Sequence, residues 1–388
     1  MGIVNPGVAV GAQQDAFIHF SPDDLETAVR HLAHIQAERN QLINNYLDRI
    51  CHFKGNPREI GFAAGRALGG RLEQVIDHYI ANQPNSKDME KLHAGALPWL
   101  RSLPRRFQDE FEGMAEGAGI CLQRLAEWAY IEECDVMQCS GAIYLFENQA
   151  WVARNNDLYV PELWGYATIR EVDRRIPTIN FSMEGEVFAP TGINKEKLWL
   201  HYNFLPVWDK PAPNKPHVPA YVFLTEALEL CHTISDVETL LNETDRDGGM
   251  LLFAVDGKNN EFALFECMCS KYYKRETSNN WIVGTNHYCA CEDLTLGDAD
   301  NEPLGTLSRY ARMENLMQIL SASQTYPNLP ADLIRILADD KIERRDKQVM
   351  TVYSNVACPS TGEIWYTFGG YPAASMGNWQ RLEWPWID

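Results

Sequence analysis

A change of period at Cys139 constrains this chain more than any other feature of its sequence. Upstream, the spacing is helical. "SPDDLETAVRHLAHIQAERNQLINNYLDRI" opens with Ser21 as an N-cap, Pro22 at the first helical position and acids in the first turn, which predicts a long helix after an irregular arm of about 20 residues. "GNPREIGFAAGRALGGRLEQVIDHYI" predicts another, capped by Asn56 with Pro57 at its first position. Helical segments follow over roughly 104–118 and 122–137, with "AEGAGI" as a stop and restart between them. Gly61, Gly65 and Gly69 share a face at four-residue spacing. No Lys-Ser/Thr pair follows, so they read as a surface for a close helix neighbour and not as a phosphate loop.

From Cys139 onward the residues turn β-branched and aromatic. "AIYLF" and "WVARN" flank "ENQA", a hairpin signal. Further strands are predicted at "YATIREV", "TINFSM" and "LWLHYNF", then a helical pair over about 219–243. Strands resume at "MLLFAVDG", "EFALFECM", "KYYKRE" and "WIVGTN". A helical stretch over about 304–338 precedes the closing strands "VMTVYSNVACP" and "EIWYTFGG". Runs of strands alternating with runs of helices imply an α+β protein with segregated layers, not a βαβ wheel. The expected division is a helical segment over 1–138 and a catalytic region over 139–388.

With 388 residues, 45% of them hydrophobic, the chain can bury a sizeable core. A net charge of -19 argues against nucleic acid and anionic membrane as partners. No apolar run is long enough to span a bilayer, the N-terminus lacks a signal-peptide pattern, and Pro6 breaks a myristoylation motif. The ten cysteines are scattered, which suits free thiols in a reducing, cytoplasmic setting. The expected partner is a small molecule, with homo-oligomerisation left open.

Chemistry is expected at "DVMQCSGAIYLFENQAWVARNNDL". Asp157 lies 18 residues after Cys139, so a strand, a turn and a returning strand bring it back beside the strand start. That geometry suits a cysteine that becomes a chain terminus. Were the Gln138–Cys139 bond cut, the new α-amine, with a reference pKa of about 7.7–8.0, could act as base for its own thiol. Asp157 would hold the amine and Arg154 would favour the thiolate.

These residues, with "DEFEGMAEGAGI" upstream, "GINKEKLWLHYNFLP" and "GTNH", resemble the acyl-coenzyme A:6-aminopenicillanic acid acyltransferases (peptidase family C45). Those are relatives of the choloylglycine hydrolases within the N-terminal nucleophile hydrolases. The resemblance runs from about "GNPREIGFAAG" to "FGGYP". It implies an αββα sandwich of two antiparallel sheets, with Cys139 as nucleophile and Arg154 and Asp157 beside it. It also implies Asn203 as oxyanion donor and Asn286 as the residue that orients the α-amine. The late arginine falls nearest Arg345. Gln138 stands where the family often has glycine, whose loose backbone suits an N-to-S acyl shift. The implied activity is amide hydrolysis or acyl transfer without metal or organic cofactor, with a coenzyme A thioester as a candidate cosubstrate.

Other readings compete. Cys139, His287 and Asn355 appear in papain-like order without a local signature. Cys267, Cys269, Cys289 and Cys291 form two Cys-x-Cys pairs, tighter than ordinary zinc spacing, and fit core-facing thiols better. An unprocessed, inactive binding protein that keeps the fold is the alternative from another class. The tryptophan-rich tail "NWQRLEWPWID" is either a packed flank or an acyl-pocket wall.

Overall fold

The computed structural model describes residues 49–82, 89–133, 138–207, 209–290, 305–346 and 349–386. The helix predicted from Ser21 and the arm before it lie outside the described residues.

The first described element is a strand, β1 (Ile50–Gly55), so the region before Cys139 is not purely helical. Helices α1 (Pro57–Leu68), α2 (Gly70–Asn82), α3 (Met89–Ser102), α4 (Arg105–Ala118) and α5 (Leu122–Glu133) follow. Asn56 caps α1 as expected, in a reciprocal capping box with Glu59. The segment predicted as one helix is broken into α1 and α2 at Gly69, whose φ of 53° an L-residue tolerates poorly. Gly61 and Gly65 behave as anticipated. A Cβ on either would lie 1.9 Å from Glu110 O or 2.2 Å from Met114 O, and Gly113 and Gly117 of α4 return the contact at 2.1 Å from Arg58 O and Phe62 O. The two helix backbones touch because neither carries side chains there.

Strands β2 (Gln138–Phe146) and β3 (Gln149–Leu158) form the hairpin. Its turn is two residues, Glu147 and Asn148, at φ 49° and 60°, shorter than the "ENQA" expected. Next come β4 (Trp164–Val172), β5 (Thr178–Met183), β6 (Thr191–Asn194), β7 (Leu198–Leu205) and β8 (His217–Val218). Helices α6 (Ala220–Leu230) and α7 (Ile234–Glu243) match the predicted pair. Then follow β9 (Asp245–Arg246), β10 (Gly249–Asp256), β11 (Glu261–Cys267), β12 (Tyr272–Lys274) and β13 (Trp281–Gly284). After them come α8 (Thr306–Ala322), α9 (Ala331–Leu337), β14 (Met350–Cys358), β15 (Glu363–Phe368), α10 (Ala373–Met376) and β16 (Asn378–Leu382).

The strands assemble into an eight-stranded sheet, β1-β4-β5-β6-β7-β10-β11-β12, and a six-stranded sheet, β13-β2-β3-β14-β15-β16, with β8 and β9 as a separate pair. Among the described strands of the two large sheets, only β1–β4 is a parallel pair. Aromatic rings join the inner faces: Phe181 of β5, beside Trp199 of β7 in its own sheet, meets Tyr366 of β15, and Trp164 of β4 stacks on Tyr353 of β14. On the outer face of the six-stranded sheet, Met313, Met317, Leu333 and Ile336 of α8 and α9 cover Ala142, Tyr144, Ala153 and Val283. On the outer face of the eight-stranded sheet, Leu228 of α6 accepts from Asn194 of β6 and Glu110 of α4 pairs with Arg170 of β4. The result is the αββα sandwich the resemblance implied.

Candidate active site

Alternation along β2 decides what each residue can reach. Ala142 and Tyr144 face the helices, so Cys139 and Gly141 face inward between the sheets. The hairpin register pairs Cys139 with Asn156, Gly141 with Arg154 and Gln138 with Asp157. Arg154 and Asn156 therefore share the inner face with Cys139, while Asn155 and Asp157 turn toward the helical layer, where Asn155 donates to Leu337 O.

Cys139 is fully buried. Its Sγ lies 3.4 Å from Arg154 Nη2 and 3.4 Å from Asn156 Oδ1. Arg154 is also fully buried, and its bonds go to neutral groups: Pro190 O, Thr191 Oγ1, Tyr353 Oη, Asn156 Oδ1 and Tyr202 O. A buried guanidinium without a bonded carboxylate is a costly arrangement that a neighbouring thiolate would relieve. Burial nevertheless raises the Cys139 thiol above its ordinary value, with Arg154 opposing.

Asn286 and a residue the sequence did not single out hold the backbone of Cys139. Cys139 N donates to Asn286 Oδ1 at 3.0 Å. Arg309, on α8, donates to Cys139 O at 2.7 Å, to Ser140 Oγ at 2.8 Å and to Asn286 Oδ1 at 2.8 Å, and lies 3.7 Å from Asp157 Oδ2. Asp157 accepts from Thr351 Oγ1 at 2.6 Å. Burial lifts its carboxyl to about 6, against the pull of Arg309 and Thr351.

The expected late arginine, Arg345, stands elsewhere: its side chain is 48% exposed and pairs with Glu343. Arg309 is the arginine from the C-terminal third that reaches Cys139. No local motif marked it. The only signal was an arginine placed one turn into a helix that had to pack on the strand bearing Cys139.

Asn203 on β7 is fully buried. Its Nδ2 donates to Gly284 O at 3.2 Å and Thr285 O at 3.1 Å, and its Oδ1 is unpartnered. An oxyanion role requires the amide to release one of those carbonyls. His287 bonds to Thr285 and Thr306 and packs edge-on against Tyr310, and makes no hydrogen bond with Cys139. Burial lowers it to about 4, so it is neutral near pH 7. Asn355 lies on β14 opposite Arg154, not beside His287. Cys291 lies outside the described residues; among those described, no three His, Cys, Asp or Glu side chains gather as a metal site. The tail tryptophans pack locally, Trp384 edge-on to Trp386 and Trp379 donating to Ala374 O.

His201 is a further unanticipated neighbour. Gly141 and Gly284 pair across β2 and β13. A Cβ on Gly141 would come within 2.8 Å of His201 Nε2, so the glycine makes room for the stacked His201–Phe253 rings. Burial, then Arg154, holds His201 well below its ordinary value.

The family model for acyl-coenzyme A:6-aminopenicillanic acid acyl-transferase matches residues 145–371, more than half of the chain, beginning just beyond Cys139. The chain belongs to that family. Three solved structures are similar at low identity. A mutant of the conjugated bile acid hydrolase from Clostridium perfringens is 13% identical over 63% of this chain and 96% of that one, TM-score 0.42. Penicillin V acylase from Agrobacterium tumefaciens is 13% identical over 63% and 86%, TM-score 0.45. The N-acylethanolamine-hydrolyzing acid amidase ortholog of Caenorhabditis elegans is 14% identical over 57% and 93%, TM-score 0.43. No curated protein matches the sequence.

Proposed function

We propose that this protein is a cysteine amidohydrolase or acyltransferase that generates its own nucleophile by cutting the Gln138–Cys139 bond. The observation that carries the reading is the convergence of Arg154 on Cys139 Sγ, Asn286 on its N and Arg309 on its O. In the first step Sγ attacks the Gln138 carbonyl carbon, the C–N bond breaks, and the amine of Cys139 takes the thiol proton. Water then opens the thioester, leaving a Gln138 carboxylate and a free Cys139.

In the mature site the α-amine accepts the thiol proton, and the thiolate attacks a linear amide or an acyl thioester. The ammonium returns its proton to the leaving amine, or to the leaving thiolate of a thioester. Water or an acceptor amine then releases the acyl group. Arg154 stabilises the thiolate, Asp157 and Asn286 orient the amine, and Asn203 supplies an oxyanion donor. No metal or organic cofactor enters these steps. A coenzyme A thioester is a candidate acyl donor. Unpaired thiols among the described cysteines suit a reducing, cytoplasmic setting, and no helix among the described residues is long and apolar enough to cross a membrane.

Intact-mass measurement of the purified protein tests this. Wild type should resolve into two fragments that meet at 138/139, and Cys139→Ala should stay whole. Cleavage of the alanine variant at the same bond would assign the cut to an outside protease. A wild type that stays whole and inactive would favour the binding-protein reading.

A further inference from the structure

The loop between β5 and β6 runs from Glu184 to Pro190 and ends on the active-site arginine: Pro190 O and Thr191 Oγ1 both accept from Arg154. It is held along its whole length. Glu184 pairs with Arg71 of α2, and a Cβ on Gly185 would lie 2.7 Å from Leu68 of α1. Phe188 packs against Phe107 and Phe111 of α4, and Ala189 N donates to Thr225 Oγ1 of α6 at 2.9 Å. In this fixed loop sits Glu186, half-buried, its Oε2 accepting from Met183 N at 3.0 Å. Its other oxygen has no donor, and the carboxyl makes no ion pair, among the described residues. The one cation acting on it is Arg154, whose two terminal nitrogens are already spent on other acceptors.

We propose that Glu186 is a specificity-determining residue of this site, a carboxylate that pairs with an ammonium group carried by the substrate. The inference rests on the reading of Cys139 as nucleophile and adds a substrate class to it. A carboxylate has room for about four hydrogen bonds, and a loop packed along its length holds the second, partly exposed oxygen as an acceptor already in place. The site cannot satisfy that oxygen from within, because Arg154 is anchored away from it. An ammonium satisfies it with a charge-assisted bond, the carboxyl ionising as the cation binds. Burial raises the Glu186 carboxyl above its ordinary value, with Met183 N–H and Arg154 opposing. Arg154 from β3 and Tyr353 from β14 are the ionisable groups that face it. A bound cation favours the ionised carboxyl, so cation affinity should rise as pH is raised above neutrality.

Two measurements on the full processed protein test the proposal. In the first, hexylammonium and hexanol are compared by thermal shift. Hexylammonium should stabilise wild type and hexanol should not, the difference should grow from pH 7 to pH 9, and Glu186→Gln, which keeps the acceptor for Met183 N, should erase it. In the second, kcat/KM is compared for 6-aminohexanoyl and hexanoyl anilides, and for hexanoyl amides of 1,6-diaminohexane and hexylamine. Glu186→Gln should lower the preference for the cationic member of at least one pair by about 10–100-fold, mostly through KM. Equal losses on cationic and neutral substrates, or an ammonium-dependent thermal shift that survives in Glu186→Gln, would overturn the proposal. A thermal shift that follows Glu186 in a protein that turns over none of the four substrates would support the cation site and count against the hydrolase reading instead.

Discussion

Asp157 is where charge and burial conflict most openly. Its carboxyl is fully buried and has been lifted from 3.8 to about 6, burial outweighing Arg309 and Thr351. A carboxyl whose pKa is raised by folding contributes fully below its unfolded value, and that contribution is lost as pH rises through the folded value. The shift is about two pH units, worth roughly 3 kcal/mol. Asp157→Asn keeps an acceptor for Thr351 Oγ1 and removes the titration. The variant should gain stability relative to wild type between about pH 4 and pH 7, read as the difference in denaturation midpoint. Parallel midpoints across that range would mean the carboxyl is not desolvated as the fold places it. The same variant should lose turnover, because the amine loses its anionic partner.

At the scale of elements, the α1–α4 contact is the most sharply specified. Gly61, Gly65, Gly113 and Gly117 each lie where an added Cβ would overlap opposing backbone. Opposing main chain cannot swing aside as a side chain can. Gly65→Ala or Gly113→Ala should therefore cost about 1–3 kcal/mol, measured by urea denaturation. Values within a few tenths of wild type would mean that the helices separate freely. The four-residue spacing of Gly61 and Gly65 was legible as a close-packing face. The helix over 104–118 was legible too, but not that Gly113 and Gly117 make it the partner of that face, since "AEGAGI" reads as a helix stop. Helices α3 and α10 and strands β1, β6, β8, β9 and β16 were also not foreseen. Each of these strands has six residues or fewer, and its place in a sheet depends on its partner strands.

For the whole molecule, the proposed cut at 138/139 falls inside one folded unit. Strand β1 pairs with β4 from the other side of that bond. Glu110 of α4 is fully buried against Arg170 of β4, and Arg106 of α4 pairs with Glu229 of α6. Phe107 and Phe111 meet Phe188. Breaking one peptide bond removes none of these contacts, and separating the pieces would strand buried charges at a cost of several kcal/mol. The two fragments should co-elute in native size-exclusion chromatography and part only in denaturant. A small fragment eluting alone under native conditions would refute this.

The sequence by itself determined the segregation of helices and strands, the hairpin that brings residues 154–157 back to Cys139, and the capped start of α1. Each is a local matter of period, turn or cap, carried by residues within one or two turns or strands of one another. Tertiary structure alone decided which arginine of the C-terminal third stands at Cys139. Arg309 and Arg345 look alike along the chain, since each is a long cation with no motif around it. Burial separates them: α8 lays Arg309 against the strand that bears Cys139, where it meets Cys139 O, Asn286 and Asp157, while Arg345 keeps to a half-exposed pair with Glu343. Similarly, alternation along β3 says only that Arg154 and Asp157 face opposite ways. What lies on each side, an inner face with Thr191 and Tyr353 or a helical layer with Arg309, depends on how the two sheets and α8 pack, and no short stretch of sequence carries that.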